Sequence, residues 1–199
     1  YLPEWITYLF QKTNQVSTGY NRSAAFNFGA IYARGNILLL HDNDMLAPIN
    51  YCSDILQLAS IGYDAINLKR FVFYLGQNDS VHLIQSMHYL KYVVPEYIIQ
   101  NLEAGGSIAI TRSAFFRIGG MDEEFVGWGG EDIEFWKRCT TLKRWIWGRH
   151  SLIHLWHKSQ PLKHTEDNPN IQRVNRLEEM QLNARIDSLR KKNWGNEYD

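Results

Sequence analysis

Three short stretches carry residues whose types and spacing could do chemistry. Asp42-Asn43-Asp44 places two carboxylates two positions apart, directly after the run Asn36-Ile-Leu-Leu-Leu-His41 with its four apolar residues. Hard oxygen ligands of this kind hold Mg²⁺ or Mn²⁺, and such an ion binds a diphosphate. A plain turn is the competing reading, since Asp and Asn are frequent in turns; packed carboxylates at a strand end, however, repel unless a cation lies between them. In Phe125-Val-Gly127-Trp128-Gly129-Gly130-Glu131-Asp132, three glycines surround one indole. Glycine allows close backbone approach to a ligand and the indole is a flat apolar wall. Glu131 and Asp132 then open a helix, where they serve either as ordinary first-turn acids or as a carboxylate available for general-base work. In His154-Leu-Trp-His157 two imidazoles stand three apart, able to meet one metal on a helical turn but facing opposite sides of a strand. Joined to Asp42 and Asp44, His157 would complete the mixed nitrogen and oxygen shell that suits Mn²⁺. A smaller signal is Tyr20-Asn21-Arg22: a ring, an amide and a guanidinium at a helix start could hold a nucleotide, or simply cap the helix.

The elements around these stretches must position them. Helical spacing runs from Asn21, a capping residue, to Arg34, with Gly35 as a stop. The run 36–41 reads as a central strand buried on both faces, and ligands in open α/β sheets bind beyond such carboxyl ends. Pro48 starts a helix to about Ser60; Asp64–Lys69 and Phe71–Leu75 read as strands, the pair as a possible hairpin; Ser80–Gln100 reads as helix. Strand 105–111, helix 112–118, a glycine-rich loop to Gly130, helix 131–142, and short strands at 144–147 and 151–155 follow. Asn168-Pro169 caps a final amphipathic helix to about Lys191. Alternating strands and helices suggest an α/β layered domain.

Composition bounds the partners. Apolar residues are 45% and charged residues 21% of 199, enough for a core and unlike a disordered chain. Lys plus Arg equals Asp plus Glu at 21 each, so no bulk field draws the chain to nucleic acid or to an anionic membrane. No window approaches the roughly 18 apolar residues of a membrane span, and a cytoplasmic, at most membrane-peripheral location is expected. Cys52 and Cys139 form no metal knuckle and are expected in the core. A start at Tyr1 rather than Met suggests an excised, processed or incomplete domain.

Asn21-Arg-Ser-Ala-Ala-Phe-Asn-Phe-Gly29, Leu38-Leu-Leu-His-Asp-Asn-Asp-Met-Leu-Ala-Pro48, the stretch from Gly105 to Asp122 continuing through Gly127-Trp-Gly-Gly-Glu-Asp132, and His154-Leu-Trp-His157 follow in an order and spacing that resembles the catalytic half of a GT-A glycosyltransferase. The likeness is to the β-1,4-galactosyltransferase type and related bacterial family-2 enzymes, over about Tyr20 to His157. It implies a layered α/β/α domain with a mixed central sheet, one domain over 1–199 with its core at about 20–157, a C-terminal helical extension at about 168–192, and its first strand–helix units missing. It also implies inverting, metal-dependent transfer of a hexose or N-acetylhexosamine from a nucleotide-diphospho sugar, in the first place a UDP-sugar, to a hydroxyl of a saccharide acceptor, with Mn²⁺ or Mg²⁺ as cofactor. Carried over position by position, Asp44, His157 and His154 bind the ion, with Asp42 in its shell or near the ribose. Tyr20 and Arg22 pack on the nucleotide, with Asn21 and Asn43 beside them. Trp128, Gly129 and Gly130 form a loop that closes over the sugars, Glu131 hydrogen-bonds the acceptor, and Asp132 takes the proton of its hydroxyl. Two other readings keep the same residues: a catalytically silent carbohydrate-binding or interaction domain, and a metal-dependent phosphoester or diphosphate hydrolase.

Overall fold

Eight strands and seven helices follow one another in the computed structural model, which describes residues 4–10, 20–86, 94–100, 104–159, 163 and 167–192. Helix α1 (Arg22–Tyr32) starts where Asn21 Oδ1 accepts from Ala24 N at 2.9 Å, and ends at Ala33 rather than at Gly35. Strand β1 (Ile37–His41) leads through the acidic turn into β2 (Met45–Leu46), and α2 (Tyr51–Ser60) follows. Next come β3 (Ala65–Ile66), β4 (Lys69–Tyr74), α3 (Gln77–Ser86) and β5 (Tyr97–Gln100), then β6 (Ser107–Thr111), α4 (Arg112–Arg117) and α5 (Glu131–Arg138). A 3₁₀ turn at Cys139–Thr141 precedes β7 (Arg144–Trp145) and β8 (His150–His154), and α6 (Pro169–Glu178) and α7 (Leu182–Arg190) close the order.

In place of the single mixed central sheet expected, the fold has two mixed halves, each a separate four-stranded sheet. One has the order β1-β6-β3-β7 and the other β2-β8-β4-β5; in each, one pair is parallel and two are antiparallel. The chain passes from the first half to the second at three places: β1 to β2, β3 to β4, and β7 to β8. Gly148, in the last of these crossings, lies against the Lys69 carbonyl, where no Cβ fits. Segments 64–69 and 71–75 are therefore not a hairpin but consecutive strands of different half-sheets.

Helices cover both faces of the first half-sheet. On one side Leu38, Leu40, Ile108 and Ile110 pack with α1, α4, α5 and α7 through Ala30, Phe115, Phe135 and Ile186. On the other, Ile37, Leu39 and Ala109 meet α2 through Tyr51, Ile55 and Leu58. This accounts for the uninterrupted apolar run in β1: successive side chains alternate between two cores. Yet β1 is an edge strand among the described residues, paired only with β6 and antiparallel to it, so the central position expected for it is not observed. Burying these branched side chains removes on the order of 2 kcal/mol of apolar exposure each, and it fixes the carboxyl end of β1 where the acidic turn begins.

Three further expectations change. The segment 80–100 is not one helix: α3 ends at Ser86, residues 87–93 lie outside the described residues, and Tyr97–Gln100 pairs antiparallel with Phe71–Tyr74, with Tyr97 stacked on Tyr74 at 4.4 Å. The final helix is two, because Gln181 takes extended angles (φ −62°, ψ 134°) and restarts the chain as α7. Cys139 is buried, but Cys52 sits exposed on α2. Among the described residues no helix is long and apolar enough to cross a membrane.

Candidate functional site

Strand pairing brings the acidic turn and the two imidazoles together. Met45 pairs with His154 and Leu46 with Ile153 across β2 and β8, and Leu155 N donates to Asp44 O at 2.8 Å. The turn itself is closed by Met45 N donating to Asp42 O (3.1 Å) and tied to β6 by Asp42 N donating to Gly106 O (2.9 Å). Beneath it, His41 donates from Nε2 to the Met45 carbonyl (2.9 Å), and its Nδ1 lies 2.9 Å from the Ser107 hydroxyl, whose Oγ accepts from Tyr51 OH at 3.0 Å. Because β8 stops at His154, the next three residues leave the strand, and His154 and His157 escape the opposite-face geometry of a continuous one. Their rings lie 5.2 Å apart at the centroids.

Asp44, His154 and His157 each turn a ligand atom toward one point, all within 4.8 Å of one another. Asp44 Oδ2 lies 3.4 Å from His157 Nε2 and 4.0 Å from His154 Nε2, and Asp44 Oδ1 is buried with no hydrogen-bond partner. His157 Nδ1 is 3.0 Å from the Lys158 carbonyl, which can only accept, so Nδ1 donates there and Nε2 is the nitrogen turned toward Asp44. Burial lowers the His154 pKa, with Asp44 opposing and His157 adding to the shift, so this imidazole favours its neutral form. A carboxylate with an orphaned oxygen beside two imidazole nitrogens fits a divalent ion such as Mn²⁺ in donor chemistry. Asp42 is not part of this cluster. Its Oδ1 accepts from Arg22 Nε (2.9 Å) and Nη2 (2.7 Å), so the turn's two carboxylates face different partners.

Arg22 is the hinge of a second group. Besides Asp42 it reaches Glu131 Oε1 through Nη1 at 3.1 Å, joining the start of α1, the end of β1 and the start of α5. Glu131 Oε2 is buried without a partner, and Asp132 Oδ2 lies against the Gly105 backbone, whose φ of +80° and lack of a Cβ make room for it. Burial raises the Asp132 pKa; Asp42 adds to this, and Arg22 opposes it. Burial, then the neighbouring Asp132, pushes Glu131 up to about 7, against the pull of Arg22. A carboxyl with a raised folded-state pKa stabilises the fold when protonated. That stability is complete below the ordinary value of 4.5 and is lost as pH rises through about 7. Glu131→Gln is therefore expected to gain thermal stability relative to the parent between pH 5 and pH 8, by about 2–4 °C for each kcal/mol relieved. Melting curves at the two pH values test this, and a constant difference would contradict it.

The remaining sequence candidates fall on either side of these groups. Asn21 is consumed structurally: its Oδ1 caps α1 and its Nδ2 donates to Glu123 O at 2.7 Å, so the capping reading holds for its side chain. Tyr20 exposes its ring while its carbonyl accepts from Gly127 N at 2.9 Å, which ties the glycine-rich loop to the start of α1. Asn43 is exposed at the tip of the turn. Trp128 is 39% exposed, and its carbonyl accepts from Asn168 and Asn170 of the α6 start at 3.0 and 3.2 Å. Gly129 and Gly130 take φ of +95° and +90°; a Cβ on Gly130 would stand 2.8 Å from Val174 and 2.9 Å from Phe125. Gly130→Ala should cost about 1–3 kcal/mol in chemical denaturation through overpacking and a left-handed backbone.

Lys69 was not singled out by the sequence. It is 1% exposed beneath β6, donating from Nζ to Asn67 Oδ1 (2.9 Å) and Ser107 O (2.5 Å). Burial lowers its pKa to about 7, against the pull of Asp132 and Asp42. Its only trace in the sequence is a lysine inside a strand-like segment that also carries Asn67 and Arg70.

Residues 88–146 match the family model described as the N-terminal domain of galactosyltransferase, which upholds the resemblance to the galactosyltransferase type. Validoxylamine A glucosyltransferase of Streptomyces hygroscopicus is 26% identical over 177 residues, covering 72% of this chain and 41% of that protein. Beta-1,4-galactosyltransferase 2 of Mus musculus is 31% identical over 91 residues, 43% of this chain and 23% of its own length. The chain thus spans less than half of these curated relatives. Among solved structures, Drosophila beta-1,4-galactosyltransferase 7 as the D211N mutant with manganese, UDP-Gal and xylobiose aligns with a TM-score of 0.44 at 18% identity, covering 78% of this chain and 60% of that one.

Proposed function

We propose that this chain is the catalytic part of an inverting, metal-dependent glycosyltransferase. It moves a hexose or N-acetylhexosamine from a nucleotide-diphospho sugar, in the first place a UDP-sugar, to a hydroxyl of a saccharide acceptor. The carrying observation is that Asp44, His154 and His157 turn their ligand atoms together, while Asp42 of the same turn is joined through Arg22 to Glu131, the residue before Asp132. Glucosyl- and galactosyltransferases among its sequence relatives support transfer over hydrolysis.

Asp44, His154 and His157 would hold the divalent ion, Mn²⁺ or Mg²⁺. When bound, that ion supplies Lewis-acid neutralisation of a diphosphate leaving group. Arg22, fixed by Asp42 and Glu131, presents a cation beside the diphosphate end of the donor. Exposed Tyr20 and Asn43 lie where a nucleotide would pass, and the Trp128 ring offers a stacking wall to a sugar. Glu131 accepts from an acceptor hydroxyl at its unpartnered Oε2, and Asp132 removes the proton of the attacking hydroxyl. With the base opposite the leaving group, a single displacement inverts the anomeric centre. Closure of the 127–130 segment excludes water and so favours transfer over hydrolysis. In this reading the core at about 20–157 and the helices at 168–192 act as one unit, because Asn168 and Asn170 grip the carbonyls of Val126 and Trp128.

A panel of nucleotide sugars with Mn²⁺, scored for nucleotide release with and without saccharide acceptors, tests the proposal. Acceptor-dependent release from one donor is expected. Release without an acceptor would indicate a hydrolase, and sugar binding without any release a silent binding domain.

A further inference from the structure

We infer that a cavity of about 290 Å³ among α5, α6 and α7, whose lining shares no residue with the site above, binds a small oxyanion: a phosphate or a carboxylate group. Charge is unevenly matched around it. Asp122 accepts from Arg173 Nη2 at 2.6 Å and faces Lys192 Nζ at 3.3 Å. Glu134 is taken by Arg138 through three hydrogen bonds of 2.7–2.9 Å. That leaves Arg185 underserved. It is 4% exposed, its Nη1 stands 3.6 Å from Glu134 Oε1, beyond hydrogen-bond distance, and its Nε has no partner. Arg176, one helical turn after Arg173 on α6, lines the same cavity and makes no ion pair among the described residues.

A guanidinium withdrawn from water keeps its full desolvation cost unless its N–H groups meet acceptors, and a buried unpaired donor is the least stable outcome. The acids at hand are already engaged by other bases, so the missing acceptor must come from outside the protein. An oxyanion supplies it: its oxygens accept charge-assisted hydrogen bonds from Arg185 Nε and from the planar fork of Arg176. Glu124, the third acid of the lining, is held by Arg173 Nη1 at 2.6 Å and faces Lys192 Nζ at 3.5 Å; Ser188 and the apolar Leu177, Met180 and Leu189 make up the rest, and the low polarity of those three strengthens such bonds. The volume accommodates a phosphate with several waters.

The test is thermal denaturation of the 199-residue chain in EDTA, titrated with inorganic phosphate and, in parallel, with sodium chloride at matched ionic strength. A saturable rise with phosphate beyond the chloride response is expected. A second titration with glucuronate separates the sources: a response there points to a carboxylated sugar, and a response to phosphate alone points to a free or ester phosphate. Arg176→Ala, at an exposed position, should weaken the apparent affinity by about tenfold, and Arg185→Gln should remove the response. Arg22→Met should leave it unchanged, because that residue belongs to the other site. The inference is overturned if neither anion exceeds chloride, if Arg176→Ala titrates like the parent, or if Arg22→Met is the variant that loses the response. Arg176→Ala decides the matter alone should Arg185→Gln fail to fold. None of these readouts requires glycosyl transfer, so a failure here stands apart from a failure of the proposed activity.

Discussion

Replacing Asp132 by Asn is expected to lower acceptor-dependent turnover by about 10²–10⁴-fold, the usual worth of a positioned general base, without unfolding the protein. The local packing favours retention of structure. Asp132 Oδ1 accepts from Ile133 N at 2.8 Å, and Oδ2 rests against Gly105, so an amide of the same shape fills the same space. Burial and the neighbouring Asp42 already disfavour the charged form, and neutralising the position relieves that conflict. The variant should therefore melt no lower than the parent at pH 8. The same raised pKa places the acid limb of kcat/KM above the ordinary carboxylate range, because the base must be ionised to accept a proton and activity falls as pH drops through its pKa. Near-parental turnover in Asp132→Asn would remove this residue from the role.

Chemistry was legible in the sequence where it is local. Asp42-Asn-Asp44, Gly127-Trp-Gly-Gly-Glu-Asp132 and His154-Leu-Trp-His157 are recognisable because turn chemistry, glycine freedom and first-turn acids depend on a handful of neighbouring residues. Helix α1 was legible for the same reason, down to its Asn21 cap. The division of labour inside the acidic turn was not. Arg22 takes Asp42 out of the ion cluster through a contact spanning 20 positions, and only the packing of α1 against the end of β1 determines that. Lys69 was missed because its role depends on Ser107, 38 positions on, and on burial that a single lysine in a strand does not announce.

The elements misread share a cause as well. Apolar residues in 80–100 follow no clean period, and pairing to β4 rather than local propensity makes 97–100 a strand. The break between α6 and α7 falls at Gln181, without a glycine or proline to mark it. Strand β1 carries a central strand's composition because both faces are covered, although its open side is unpaired among the described residues.

The largest binding effect is expected at the acidic turn and its imidazoles. In the proposed site each of Asp44, His154 and His157 would give the ion a direct donor. Loss of one should therefore exceed the roughly 10–100-fold penalty that follows removal of an outer partner of a metal ligand. Asp42, engaged by Arg22 instead, should matter less, and Asp42→Asn provides the contrast. Pairing of Met45 with His154 holds the two stretches together whether or not an ion is present, so Asp44→Ala and His157→Ala are expected to fold with little change in melting temperature in EDTA. The decisive measurement is calorimetric titration of Mn²⁺ into the parent, Asp44→Ala, His157→Ala and Asp42→Asn. Affinity falling more than about a hundredfold in the first two variants and about tenfold or less in the third is expected. Unchanged affinity in both Asp44→Ala and His157→Ala would contradict a shared ion at this site.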